Sequence, residues 1–242
     1  MEITIPHRYC GPPESGNGGW VCGTVAAHVP TTAPRPAVTV RLSSPPPLDR
    51  PMSLEAEPAD GAILLRLLDR GHLVASGTAS ADLVDDVPPA VSLEQASDAE
   101  SRFEGLADHP FPTCFACGTG RDPDDALCLR PGPLADGTGR YAATWVPGGT
   151  SVPLVWAALD CPGGWSAGIA GRPMVLGTMT ARVLAPPVVG EPHVVLAWRR
   201  GSEGRKHHSG SALFSPGGEL LARAEATWIA VDPATVRPRD RA

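Results

Sequence analysis

Three stretches of this 242-residue chain combine residue types that chemistry can use. Asp160 interrupts an otherwise apolar run from Val155 to Pro162, and a carboxylate in such surroundings is costly unless it is paired or put to use. It would serve as a general base or orient a water molecule. Alternatively, Pro162 begins a helix and Asp160 stands just outside its N-terminus, where a negative charge is favoured. Asn17-Gly18-Gly19 opens a second run, of small and apolar residues reaching Val29. If that run is helical, its first N–H groups lack intrahelical partners and coincide with the positive end of the dipole, so they would attract a carbonyl oxygen. Gly18 and Gly19 have no Cβ and admit either a ligand or a packed neighbour, and Asn17 suits an N-cap as well as a substrate contact. The third stretch is Arg199, Arg200, Arg205, Lys206, His207 and His208, a dense basic segment in a chain of net charge −6. In a loop between strands such cations bind phosphates or merely solvate a hairpin turn.

The six cysteines include Cys114-x-x-Cys117. With His109 and Cys128 they supply four potential zinc ligands, but a second close pair is missing, so no metal is expected. Cys161, beside Asp160, reads as a small buried residue rather than a nucleophile, because no His partner is near in sequence. The start, MEITIPHRYCGPP, has no charged segment followed by an apolar run. Reduced thiols and a cytoplasmic location are expected. Scattered Lys and Arg and an acidic balance argue against nucleic acid as a partner, and no window approaches the roughly 18 apolar residues of a membrane span.

The elements that would position these residues come twice. Gly18-Gly19-Trp20-x-x-Gly23 returns as Gly163-Gly164-Trp165-x-x-Gly168, Arg41 to Pro51 returns as Arg182 to Pro192, and Gly71 to Ala75 returns as Gly218 to Ala222, in the same order and at nearly constant spacing. In the first half, the spacing of apolar residues predicts a buried helix over 18–29 and strands over 38–42, 52–57, 63–68 and 73–81. In the second, it predicts a helix over 155–169 and strands over 141–146, 178–184, 193–198, 208–214 and 220–231. Consecutive strands joined by short turns imply an antiparallel sheet that wraps one face around the helix. The expected organisation is an α+β chain with an N-terminal module at 1–90, a linker at 91–112 carrying a short polar helix, a C-terminal module at 113–233 and a flexible tail at 234–242.

Four segments together resemble one family: Gly16-Asn17-Gly18-Gly19-Trp20, Cys114-Phe115-Ala116-Cys117-Gly118, Leu159-Asp160-Cys161-Pro162-Gly163-Gly164-Trp165, and Gly204-Arg205-Lys206 followed by the turn at 217–222. The chain resembles the double-hotdog acyl-CoA thioesterases. The resemblance implies two tandem hotdog modules, each a central helix wrapped by an antiparallel sheet, paired edge to edge as a pseudo-dimer with the site between them. It implies thioester hydrolysis in which Gly18 and Gly19 amides hold the carbonyl oxygen, Asp160 activates water, and Arg199, Arg200, Arg205 and Lys206 bind the phosphates of coenzyme A, which is part of the substrate and not a separate cofactor. Glu14 and Ser15 fall at the position pseudo-equivalent to Asp160. Related enzymes often carry a His before the Gly-Gly pair, where this chain has Asn17. The donor would be a CoA ester or an acyl carrier protein docked on the basic segment, and the chain a monomer or homo-oligomer. The alternatives are a hotdog hydratase or dehydratase, which would favour a His/Asp pair on the helix, and a non-catalytic acyl-CoA or acyl-carrier binder.

Overall fold

The structure, a computed structural model, describes residues 1–59, 61–84 and 86–232. The expected tail at 234–242 lies outside them. Strand β1 (Glu2–Thr4) leads through a 3-10 turn to helix α1 (Gly18–Ala26), then β2 (Ala37–Leu42), β3 (Pro51–Ala59), β4 (Ala62–Asp69) and β5 (His72–Ser80). Helix α2 (Leu93–Glu100) and a long loop precede β6 (Gly132–Pro133), β7 (Tyr141–Trp145), helix α3 (Val152–Ser166), β8 (Met174–Val183), β9 (His193–Glu203), β10 (Lys206–Phe214) and β11 (Leu220–Ala230). All the strands join one antiparallel sheet in the order β1-β3-β4-β5-β2-β8-β11-β10-β9-β7-β6.

Local chemistry accounts for the sharpest turns and the shape of the core. β4 and β5 are joined by Arg70 and Gly71, both at positive φ (50° and 83°), the backbone that a two-residue hairpin needs to match strand twist. α1 and α3 are apolar nearly all round, as central helices must be. Val21, Cys22 and Val25 of α1 and every residue of α3 from Val155 to Ser166 are buried. The two helices pack on each other beneath the β2–β8 seam, where Val38 faces Ala181 and Thr39 faces Thr180, their hydroxyls 2.8 Å apart. β9 shows why a strand covered on both faces loses alternation: Val195 enters the main core, while Val194 and Leu196 enter a second one.

That second core takes in α2, the short polar helix of the stretch expected at 91–112. Ala96 and Ala99 of α2 are fully buried against Leu196, Ala212 and Phe214. Ser92 and Gln95 form a reciprocal capping box at the start of the helix, a feature worth about 1 kcal/mol. Glu100 accepts hydrogen bonds from both the amide and the hydroxyl of Thr144 on β7, each 2.6 Å. The segment is an integral layer over the outer face of β7, β9 and β10. α3 also settles the choice posed by Pro162: the helix runs through it, so Asp160 lies in the helix interior rather than before an N-terminus.

Candidate active site

Two helices that touch build the site. Asn17 caps α1, its Oδ1 accepting the Trp20 N–H at 2.8 Å. With the oxygen engaged, Nδ2 is left to donate, and it reaches Asp160 Oδ2 at 3.2 Å. The Gly19 N–H donates to the same oxygen at 2.8 Å. Gly19 is the point of closest approach: a Cβ there would overlap Asp160 Cβ and stand 2.7 Å from the Trp156 carbonyl oxygen and 2.9 Å from Ala157 Cα. The missing side chain of Gly19 thus lets an amide of one helix reach a carboxylate of the other.

Asp160 is only 2% exposed. Its Oδ2 takes both hydrogen bonds, whereas Oδ1 is buried with no partner. Burial pushes the carboxyl up to about 7 against the pull of the Gly19 amide; negative charge at Cys114 adds to the rise and the Asn17 amide opposes it. A cavity of about 520 Å³, mostly apolar, opens at this point; Asn17, Gly18 and Asp160 lie in its wall, with Leu176 and Trp228 from the sheet opposite. Its size is that of a small-molecule site.

The structure also gathers thiols. The sulfurs of Cys114, Cys117 and Cys161 lie within 4.8 Å of one another. Hydrogen bonds from the other two thiols of the cluster draw the Cys114 thiol well below its usual range, while burial above all raises Cys117, and the bonds to Cys114 and Cys117 raise Cys161. His109 lines the same cavity; its Nδ1 accepts the Phe111 N–H at 2.9 Å and its Nε2 is buried without a partner. Cys128 is elsewhere, half-buried, with its sulfur 3.9 Å from the Arg121 carbonyl.

Comparison with solved structures identifies the fold that carries this site. Over 96% of its length the chain is similar to 93% of a hot dog-fold protein of unknown function from Alicyclobacillus acidocaldarius, with a TM-score of 0.66 at 17% identity. The chain has the hotdog fold. An acyl-CoA thioesterase II from Mycobacterium marinum is similar over 97% of this chain and 93% of its own, with a TM-score of 0.59 at 13% identity. A pyran synthase domain of the sorangicin pathway is similar over 96% and 92%, with a TM-score of 0.65 at 15% identity. No family model matches the sequence, and no curated protein matches it.

Within this hotdog framework the sequence-predicted residues divide. Asn17, Gly18, Gly19 and Asp160 converge, but the Gly19 amide, expected to hold a substrate carbonyl, is engaged by the Asp160 carboxylate; the Gly18 position remains at the cavity wall. Glu14 and Ser15 line the cavity as well. The basic residues sit on the β9–β10 hairpin. Arg200 forms an ion pair with Glu225 at 2.6 Å and Arg199 donates to Ser202 at 2.9 Å, whereas Arg205 and Lys206 are exposed at the tip. The Arg205 carbonyl accepts the Ala230 N–H and Lys206 pairs with Ile229, so the tip borders the strand whose Ile229 lines the cavity. Sequence reasoning missed Cys161 and His109 as members of the site. The adjacency of Cys161 to Asp160 was a usable signal; the approach of Cys114 from 47 residues away was not. Among the described residues, no helix is long and apolar enough to cross a membrane.

Proposed function

We propose that this chain hydrolyses acyl thioesters, with Asp160 as the group that activates water. The observation that carries the proposal is a buried carboxylate with one oxygen fixed by the first turn of α1 and the other unpartnered, in the wall of an apolar cavity. Gly19 and Asn17 hold Oδ2, leaving Oδ1 to take a proton from water as the water oxygen attacks the thioester carbonyl. Expulsion of the thiolate, with return of that proton to sulfur, completes the reaction. A carboxylate raised towards neutrality by burial suits this exchange. The carbonyl oxygen would rest at the N-terminus of α1, beside Gly18, where donors and dipole favour developing negative charge. The acyl chain would lie against Leu176 and Trp228, and Arg205 and Lys206 would meet the phosphates of coenzyme A or an acidic carrier protein.

We read the chain as two hotdog modules paired as a pseudo-dimer. Counting outward from the β2–β8 seam supports this: one side runs β2-β5-β4-β3-β1 and the other β8-β11-β10-β9-β7, the same order in two successive stretches of chain. Asp160 has no carboxylate counterpart at the matching depth of α1, which supports one site rather than two.

A second reading, dehydration of a hydroxyacyl thioester, draws support from His109, whose unpartnered Nε2 shares the cavity with Asp160. A panel of short, medium, long and aromatic acyl-CoAs, followed both by thiol release and by enoyl absorbance from 3-hydroxyacyl-CoAs, separates the two. Thiol release on at least one substrate supports hydrolysis. Enoyl formation without thiol release would move the assignment to a dehydratase, and binding without either reaction would move it to a non-catalytic acyl-CoA binder.

A further inference from the structure

We infer that Cys114, Cys117 and Cys161 form a binding site for a thiophilic divalent metal ion, of which zinc is the natural occupant. This revises the expectation of no metal, and it stands whether or not the chain is a thioesterase.

The three sulfurs come from two distant parts of the chain, the loop at 111–118 and the middle of α3, yet all lie within 4.8 Å of one another. Cys114 and Cys161 Sγ are 3.7 Å apart. That is far longer than a disulfide bond, at about 2.05 Å. It matches the edge of a tetrahedron with zinc at its centre, because Zn–S bonds of about 2.3 Å place neighbouring sulfurs about 3.8 Å apart. All three residues are buried and free of disulfides.

The groups around the sulfurs are donors. Asn17 Nδ2 lies 3.7 Å from Cys114 Sγ and 3.9 Å from Cys161 Sγ, Trp165 Nε1 donates to Cys117 Sγ at 3.5 Å, and the amides of Ala116 and Cys117 point at Cys114 Sγ. N–H groups aimed at sulfur are the outer shell that a metal-bound thiolate recruits. They would be poorly matched to three neutral thiols, each of which is itself a donor. A fourth ligand would be a water molecule from the cavity that the three cysteines line. Cys128, a member of the quartet that sequence spacing alone suggests, is replaced by Cys161.

The full-length chain, reduced and produced in zinc-supplemented medium, is dialysed against metal-free buffer and its metal content measured by mass spectrometry. One zinc per chain is expected, released by a mercurial thiol reagent. Cobalt(II) added to the demetallated protein should produce the near-ultraviolet thiolate-to-metal absorption and the visible bands of a tetrahedral site. Cys114→Ser and Cys161→Ser should lose the metal and the absorption, whereas Cys128→Ser should keep both. No zinc on the wild type together with no cobalt–thiolate absorption overturns the inference. So does a disulfide within the cluster in the protein as isolated, or equal metal loss in Cys128→Ser. The wild-type spectrum decides the matter even if a cluster variant fails to fold, and no substrate enters the measurement, so its failure is distinct from failure of the thioesterase proposal.

Discussion

Gly19→Ala tests the contact on which the site is built. Alanine is the better helix former by about 1 kcal/mol, and Gly19 has helical backbone, so on propensity alone the substitution would stabilise the chain. Against this, the added methyl overlaps Asp160 Cβ and stands 2.7 Å from the Trp156 carbonyl oxygen and 2.9 Å from Ala157 Cα. Two of those atoms belong to the backbone of α3, so no rotamer change relieves the overlap. Restoring ordinary contact distances requires the helices to part by roughly 1 Å. Overpacking of this kind costs about 1–3 kcal/mol and outweighs the propensity gain over most of that range. Net of the propensity gain the loss is up to about 2 kcal/mol, and for a chain of this size the midpoint of thermal unfolding should fall by up to about 8 °C. The same displacement stretches the 2.8 Å bond from the Gly19 amide to Asp160, and a misplacement of about 1 Å costs on the order of 100-fold in rate. Calorimetry and thiol release read the two effects. An alanine variant more stable than the wild type would refute the close packing of α1 on α3.

Two further substitutions separate roles. Asn17→Ser keeps an N-cap but removes the amide donor to Asp160, so kcat should fall; turnover equal to that of the wild type would assign Asn17 to capping alone. The double variant Arg205→Ala/Lys206→Ala should raise KM for acyl-CoA on the order of 2–30-fold with kcat unchanged, as expected for exposed cations meeting phosphates. The effect should shrink in high salt and vanish for an acyl-pantetheine substrate, which lacks those phosphates; equal KM values for the double variant and the wild type on acyl-CoA would remove the hairpin from the binding site.

Much of the sheet was legible because its strands are bounded by Pro and Gly turns and several alternate in polarity. β1 and β6 were not, since three and two residues carry no period. α2 buries only Ala96 and Ala99 and looks polar along its length, so its place over the sheet does not show in composition. Pro162 signalled a break in α3 that does not occur: the ring removes the donor that would reach the Ala158 carbonyl, and burial on all sides holds the helix together regardless. In the site, Asp160 and Asn17-Gly18-Gly19 each stood out by type, Asp160 as a charge in an apolar run and the glycines as a gap in side-chain volume. That one holds the other was hidden, because 141 residues separate Gly19 from Asp160 and no local pattern encodes a contact at that distance. The cysteines show the same limit, since spacing favoured Cys128 and the fold selects Cys161.

The central claim, that the unpartnered oxygen of Asp160 activates water in thioester hydrolysis, is tested most directly by kcat/KM of Asp160→Asn on the best acyl-CoA substrate, with binding of that substrate measured in parallel. Asparagine keeps the shape and can still accept the Gly19 hydrogen bond, so the fold and the binding constant should survive. Loss of a general base should lower kcat/KM about 100- to 10,000-fold, or roughly 3–5 kcal/mol of barrier. Turnover within a few-fold of the wild type would contradict the account and leave Asp160 as a buried structural carboxylate.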